Sequence, residues 1–178
     1  MTARGVILTG ERGVGKSTVC HEAATLAKGK GYTCGGLVTL SRPDGARDVL
    51  DVRSGDTRRL TLPSDAQPAV IQGRFRFDPA TLAWGNEVLA RAAPCHLLVV
   101  DELGPLEMES GAGWAKAFGA LHGGHFALAL VVVRPELLVP MQVRLPPGAT
   151  TVLTVTPDNR DALPVLLVAM LEKERNKK

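Results

Sequence analysis

With 178 residues, the chain is long enough for a single domain to bury about two thirds of the surface its unfolded form exposes, with no need of disulfides or a structural metal. Hydrophobic residues make up 45%, charged residues 22% and aromatics only 4%, so the core is expected to rest on Val, Leu and Ala. A net charge of +3 argues for no nucleic-acid partner, and no apolar run approaches the roughly 20 residues of a membrane helix.

The three cysteines, Cys20, Cys34 and Cys95, form an odd set without CxxC spacing. That pattern suits reduced thiols and a cytoplasmic location rather than a disulfide framework or a zinc site. An apolar strand begins within five residues of the start and meets charge at Glu11 and Arg12, which fits no signal peptide. The basic end, Lys173 to Lys178, reads as a solvated helix terminus. No repeat or long linker divides the chain, so residues 1–178 are expected to form one domain and a monomer.

Short apolar runs alternate with helical patterns, predicting a largely parallel α/β sheet flanked by helices. Gly5–Thr9 reads as the first strand and Ser17–Lys28 as a helix, with Gly29 and Gly31 near its end. Gly36–Leu40 is the second strand. Arg47–Arg53 and Thr57–Leu62 alternate around Ser54-Gly55-Asp56, which predicts a β-hairpin insertion over 46–62. Asp78-Pro79 offers a cap followed by proline in the first turn, opening a helix to about Ala93. His96–Asp101 is a buried strand, and Trp114, Phe118 and Leu121 recur at helical spacing before Gly123-Gly124. Trp84 and Trp114 both read as core anchors on helical faces. Phe126–Val133 and Thr150–Val155 are further strands, and residues 158–174 form a closing helix whose Pro164 falls in the first turn.

Gly10-Glu11-Arg12-Gly13-Val14-Gly15-Lys16-Ser17 matches the phosphate-loop pattern G-x-x-x-x-G-K-[ST], the Walker A element, between a strand and a helix. Glycines let consecutive backbone N–H groups face one anion, and the helix start adds its own free N–H groups. In that pattern Lys16 reaches the β- and γ-phosphates, the Ser17 hydroxyl ligates Mg2+, and Thr18 adjoins the α-phosphate. The strand Leu97–Val100 ends in Asp101 and Glu102. A hydrophobic strand tipped by aspartate is what a Walker B element requires: Asp101 would hold magnesium, directly or through water. Glu102, one step beyond, can accept the proton of a water in line with the γ-phosphate. Together these residues predict hydrolysis of a nucleoside triphosphate such as ATP or GTP.

Five stretches together resemble the THEP-type nucleoside-triphosphatase family: ILTGERGVGKST, GGLVTL before the hairpin, GRFRFDP, LLVVDELGPLEME and TVTPDNRDALP. The resemblance runs over nearly the whole chain. It implies a RecA-like P-loop sheet, magnesium dependence and slow hydrolysis of ATP, GTP and other nucleoside triphosphates to diphosphate and phosphate. Carried over by position, it makes Gly10–Ser17 the phosphate loop, Asp101 the magnesium holder and Glu102 the base, and it marks Glu107 as an acidic family position. This chain has Ser17 where the family usually has threonine, and Pro105 where it tends to have lysine.

Residues 42–76 hold seven arginines (Arg42, Arg47, Arg53, Arg58, Arg59, Arg74, Arg76), no lysine and five interspersed aspartates. Any of these arginines, or Arg134 after a strand end, has the chemistry of an arginine finger, and the pattern does not choose among them. Arg160 has the chemistry to meet a base or ribose, although Asn159 and Asp161 equally suit a helix cap. His21, His96, His122 and His125 show no metal spacing. A nucleotide or small-molecule kinase is the alternative function, with the arginine-rich hairpin as lid. A guanine-specific switch lacks its [NT]KxD signature here.

Overall fold

The aliphatic runs lie side by side in one seven-stranded sheet in the computed structural model, which describes residues 4–105, 107, 112–145 and 150–177. The strands are β1 (Arg4–Thr9), β2 (Cys34–Ser41), β3 (Arg47–Asp51), β4 (Thr57–Arg59), β7 (Leu97–Leu103), β8 (Leu128–Val133) and β9 (Thr150–Thr154), with a separate two-stranded ribbon of β5 (Val70–Gln72) and β6 (Phe75–Phe77). Their order across the sheet is β4-β3-β2-β7-β8-β1-β9. The run from β2 to β9 is parallel throughout, whereas β3 and β4 add on antiparallel.

Parallel strands must be covered on both faces, and alternation along each strand divides the core accordingly. Val6, Leu8, Val99 and Leu130 face α1 (Lys16–Gly29) and α5 (Leu163–Arg175), meeting Val19, Ala23, Leu167 and Leu171. Ile7, Leu98, Val100 and Val131 face the other way, against Trp84, Val88 and Leu89 of α2 (Pro79–Ala90) and Leu121 of α3 (Ala117–Gly123). A short α4 (Leu138–Arg144) follows a 3-10 turn at Pro135–Leu137 and buries Met141. Among the described residues no helix is long and apolar enough to cross a membrane.

This order positions the site. From β1 the chain crosses through α1 to β2, passing over both β7 and β8, while β9 lies on the opposite side of β1. Connections therefore diverge at the carboxyl end of β1, which is where open α/β sheets form their ligand crevice. The strand carrying Asp101 is not the direct neighbour of β1; β8 stands between them.

Several boundaries differ from the sequence reading. The hairpin expected over 46–62 forms as β3 and β4, and β3 pairs with β2 from Leu37↔Asp51 to Ser41↔Arg47 and so extends the main sheet. Its second arm is regular only over Thr57–Arg59. The closing helix starts at Leu163 rather than 158, because residues up to 162 form turns. Trp114 is buried as expected but precedes α3 instead of riding on it. Asp78 does cap α2, its carboxylate accepting from the N–H groups of Ala80 and Thr81 at 3.1 and 3.2 Å.

Candidate active site

The loop after β1 folds as its glycines permit. Gly10 has φ +140°, and a Cβ there would stand 2.5 Å from the carbonyl oxygen of Val155. The close approach is fixed by the Val155 N–H, which donates to Thr9 O at 2.7 Å. Gly15 takes a left-handed conformation as the residue before α1, so the chain turns sharply into the helix. Glu11, Arg12 and Gly13 are exposed at the loop crown, Val14 packs inward against the core, and Thr18 is exposed on the first turn of α1.

Lys16 opens α1, and its ammonium donates to Gly10 O at 2.8 Å and Glu11 O at 2.7 Å. Partial burial lowers its pKa from the usual lysine value. The charges of Glu102 and Asp101 oppose that shift, and the Arg134 guanidinium adds to it. The ammonium, both carboxylates and that guanidinium thus share one electrostatic neighbourhood.

β7 carries the acidic pair through an irregularity. Its register with β8 shifts between Val100 and Leu103. Within that bulge Glu102 takes φ +61°, the one non-glycine among the described residues with positive φ. Such a conformation costs on the order of 1–3 kcal/mol and is found where surrounding structure holds a functional side chain. Asp101 is 1% exposed. Its Oδ2 accepts the Thr39 N–H at 2.8 Å, whereas Oδ1 is buried with no hydrogen-bond partner. Burial, followed by the charge of Glu102, raises the Asp101 pKa to about 7. The Ser17 hydroxyl, the Thr39 N–H and Arg47 pull it down.

A cavity of about 610 Å³ has a wall running from Gly10, Lys16 and Ser17 across to Glu102 and Arg134. His21 reaches its rim. Glu102 itself is paired with two arginines, Arg47 at 2.5 Å and Arg134 at 3.9 Å. Glu107, by contrast, points into structure: its carboxylate accepts the N–H groups of Gly104 and Trp114, both at 2.8 Å, and ties the segment after β7 to the entry of α3. Asn159 closes a turn, accepting the Thr156 N–H at 2.9 Å and donating to Thr154 O at 2.9 Å. That turn lays Arg160 along the phosphate loop, with Cδ 3.4 Å from where a Gly15 Cβ would be.

The sequence reading missed the β5–β6 ribbon, whose Phe75 carries the guanidinium of Arg47 at 4.5 Å and that of Arg12 at 5.7 Å. The alternation Phe75-Arg76-Phe77 was the available signal, too short to separate from a loop.

Comparison with known proteins agrees with this geometry. A family model described as NTPase matches residues 5–168. "Nucleoside-triphosphatase THEP1" of Methanosarcina acetivorans is 32% identical over 164 residues, covering 89% of this chain and 91% of its own. The protein of the same name from Methanopyrus kandleri is 33% identical over 112 residues, and there the match spans 60% of this chain and 61% of the relative's length. Among solved structures, the solution structure of a human cancer-related nucleoside triphosphatase superposes with a TM-score of 0.66 at 26% identity, covering 96% of this chain and 98% of that one. A glycine-rich loop after the first strand, an acidic pair on β7 and a family match over nearly the whole sequence agree, and the chain belongs to the NTPase family of THEP-type nucleoside-triphosphatases.

Proposed function

We propose that this chain hydrolyses the γ-phosphate of ATP, GTP and other nucleoside triphosphates to diphosphate and phosphate, with magnesium. The observation that carries the reading is Glu102 standing across one cavity from Lys16, beside the buried carboxylate of Asp101. The names of the relatives support the same activity. In this reading the loop N–H groups of Gly10–Ser17 and the start of α1 hold the phosphates, and the Lys16 ammonium exchanges its two loop carbonyls for phosphate oxygens. Glu102 accepts the proton of the attacking water.

The residues present fit a magnesium ion. Among the described residues Asp101 Oδ1 is a buried oxygen with no partner, the Ser17 hydroxyl acts on the same carboxylate, and an all-oxygen donor set suits a hard cation. When bound there, the ion would neutralise charge developing on the phosphates. Residues 1–178 would act as one cytoplasmic domain and a monomer, without nucleic acid, in keeping with the small net charge and the unpaired cysteines.

A phosphotransferase is the second reading, favoured by a neighbouring recess lined by Phe75, Phe77 and Trp114 next to Glu102. Its cavity is only about 40 Å³. That is room for roughly three waters, which favours water as the acceptor over a small molecule. The deciding experiment is phosphate release from MgATP and MgGTP by the wild type, Lys16→Ala and Glu102→Gln, beside phosphate incorporation into candidate acceptors. Release by the wild type and its loss in Glu102→Gln, with nucleotide still bound, is expected. Faster transfer to an acceptor than to water would replace hydrolase by kinase.

A further inference from the structure

Eight arginines had the chemistry to reach a transferring phosphate, and the fold commits most of them elsewhere. Arg42 and Arg59 pair with Asp44 and Asp48. Arg53 donates to the carbonyls of Ala92 and Pro94, and Arg76 to that of Ala66. Arg58 lies over Trp84 and Arg74 over Phe75.

Arg47 and Arg134 remain, and they converge on the same carboxylate. Arg47 Nη1 is 2.5 Å from Glu102 Oε2, and Arg134 Nη2 is 3.9 Å from Oε1. They arrive from different sides, Arg47 from β3 and Arg134 from the end of β8, the strand between the phosphate loop and the acidic pair. Both line the cavity that holds Lys16 and Ser17. The Arg47 side chain is 14% exposed and is clamped against Phe75, while that of Arg134 is 40% exposed and only loosely paired. One carboxylate offers two oxygens to two guanidinium groups with five N–H donors each, so the pair retains donors and a surplus positive charge on the cavity wall.

We propose that Arg134 and Arg47 are a built-in arginine pair that contacts the γ-phosphoryl oxygens in the transition state, and that Glu102 holds both guanidinium groups in place until that state is reached. The inference rests on the phosphoryl-transfer reading above and names residues that reading leaves unassigned. As water attacks, the new P–O bond forms and the bond to the β-phosphate oxygen breaks, so that the diphosphate leaves with that electron pair. The water proton passes to Glu102. Neither arginine gains or loses a proton. Transfer of the guanidinium groups from Glu102 to the phosphoryl oxygens also frees the carboxylate to act as base, so one rearrangement positions the charge and releases the acceptor.

Arg134 is the residue to test, because its pairing is loose and exposed and little of the fold depends on it; Arg134→Lys and Arg47→Lys, which keep the charge but lose the fork, accompany Arg134→Ala. Three quantities are read: phosphate release, affinity for a non-hydrolysable triphosphate analogue, and affinity for a labelled nucleoside diphosphate with magnesium and aluminium fluoride, the transition-state mimic. For Arg134→Ala, turnover should fall on the order of a hundredfold to a thousandfold. Affinity for the mimic should fall with it while the triphosphate analogue binds within about threefold of wild type, since the contact is made only in the transition state. Both lysine variants should fall between. Turnover of Arg134→Ala within about threefold of wild type would overturn the proposal, and so would equal losses for the analogue and the mimic. The mimic reports on phosphoryl transfer to any acceptor, so a wild type that binds it but releases no phosphate would sink the hydrolase reading and leave the arginine assignment standing.

Discussion

The Thr39 backbone N–H donates to Asp101 Oδ2 at 2.8 Å, and this single bond between neighbouring strands orients the most deeply buried carboxylate of the site. One oxygen is satisfied by the sheet, and the other, Oδ1, has no hydrogen-bond partner among the described residues. An unpartnered buried carboxylate oxygen is costly unless something else meets it or a proton neutralises it.

That cost has a sign in pH. Because burial raises the Asp101 pKa to about 7, the folded protein binds a proton that the unfolded chain releases near 3.8. The resulting stabilisation is complete below the unfolded value and is lost as pH rises through about 7. In chelator, unfolding free energy should therefore fall by about 4 kcal/mol between pH 4 and pH 8 from this group alone. Asp101→Asn keeps an acceptor for Thr39, removes the titration and should be the more stable protein above pH 7. Urea titrations across that range check it; a wild type and variant with parallel pH profiles would contradict the assignment.

Lys16→Ala should behave as a binding mutant and not as a folding mutant. Among the described residues the ammonium donates to two loop carbonyls, one of them in an exposed contact, so little stability depends on it. Loss of a charge-assisted contact to phosphate costs about 1.5–3 kcal/mol, or roughly tenfold to a hundredfold in nucleotide affinity. Fluorescent-nucleotide titration and a melting curve measure the two effects separately, and a large drop in melting temperature would show that the lysine is structural.

Gly10 is a backbone requirement. A methyl at this position meets Val155 O at 2.5 Å and faces φ +140°, so Gly10→Ala must displace the segment following β9 or distort the turn. A loss of about 2–4 kcal/mol is expected. Chemical denaturation reads it directly, and a variant of native stability would show that the loop tolerates a Cβ where the geometry forbids one.

What could be read from the chain in advance follows from how far apart the partners are. The glycine-rich turn from β1 into α1 was legible because its pattern lies in eight consecutive residues, and the Asp78-Pro79 cap because it acts within one turn. Strand order was not, since periodicity says that β1 and β7 are buried but not that β8 lies between them. The segment 46–62 was recognised as paired strands, yet its attachment to β2 depends on an edge that only the folded sheet offers. The pairing of Arg47 with Glu102 joins residues 55 positions apart across the site, and local pattern contains no trace of it. Glu107 showed the same gap, visible as an acidic position with nothing to say what it touches.

In the structure Glu107 touches backbone, and that gives the last expectation its form. Its two oxygens accept the N–H groups of Gly104, just after the acidic pair, and Trp114, in the core. Burial raises its pKa above the ordinary carboxylate value even though bonds from the N–H groups of Trp114, Gly104 and Glu107 itself favour the charged form, so the side chain is held there against its solvation preference. Glu107→Ala removes both acceptors and should cost about 2–4 kcal/mol. Glu107→Gln, with one acceptor oxygen and one amide donor, can satisfy one N–H and should lose roughly half as much. Because Gly104 follows Glu102 by two residues, the alanine variant should also lower turnover more than nucleotide affinity. Denaturation and a comparison of kcat with nucleotide Kd test both parts. Full stability in Glu107→Ala would mean that the two N–H groups find water, and would remove Glu107 from the support of the site.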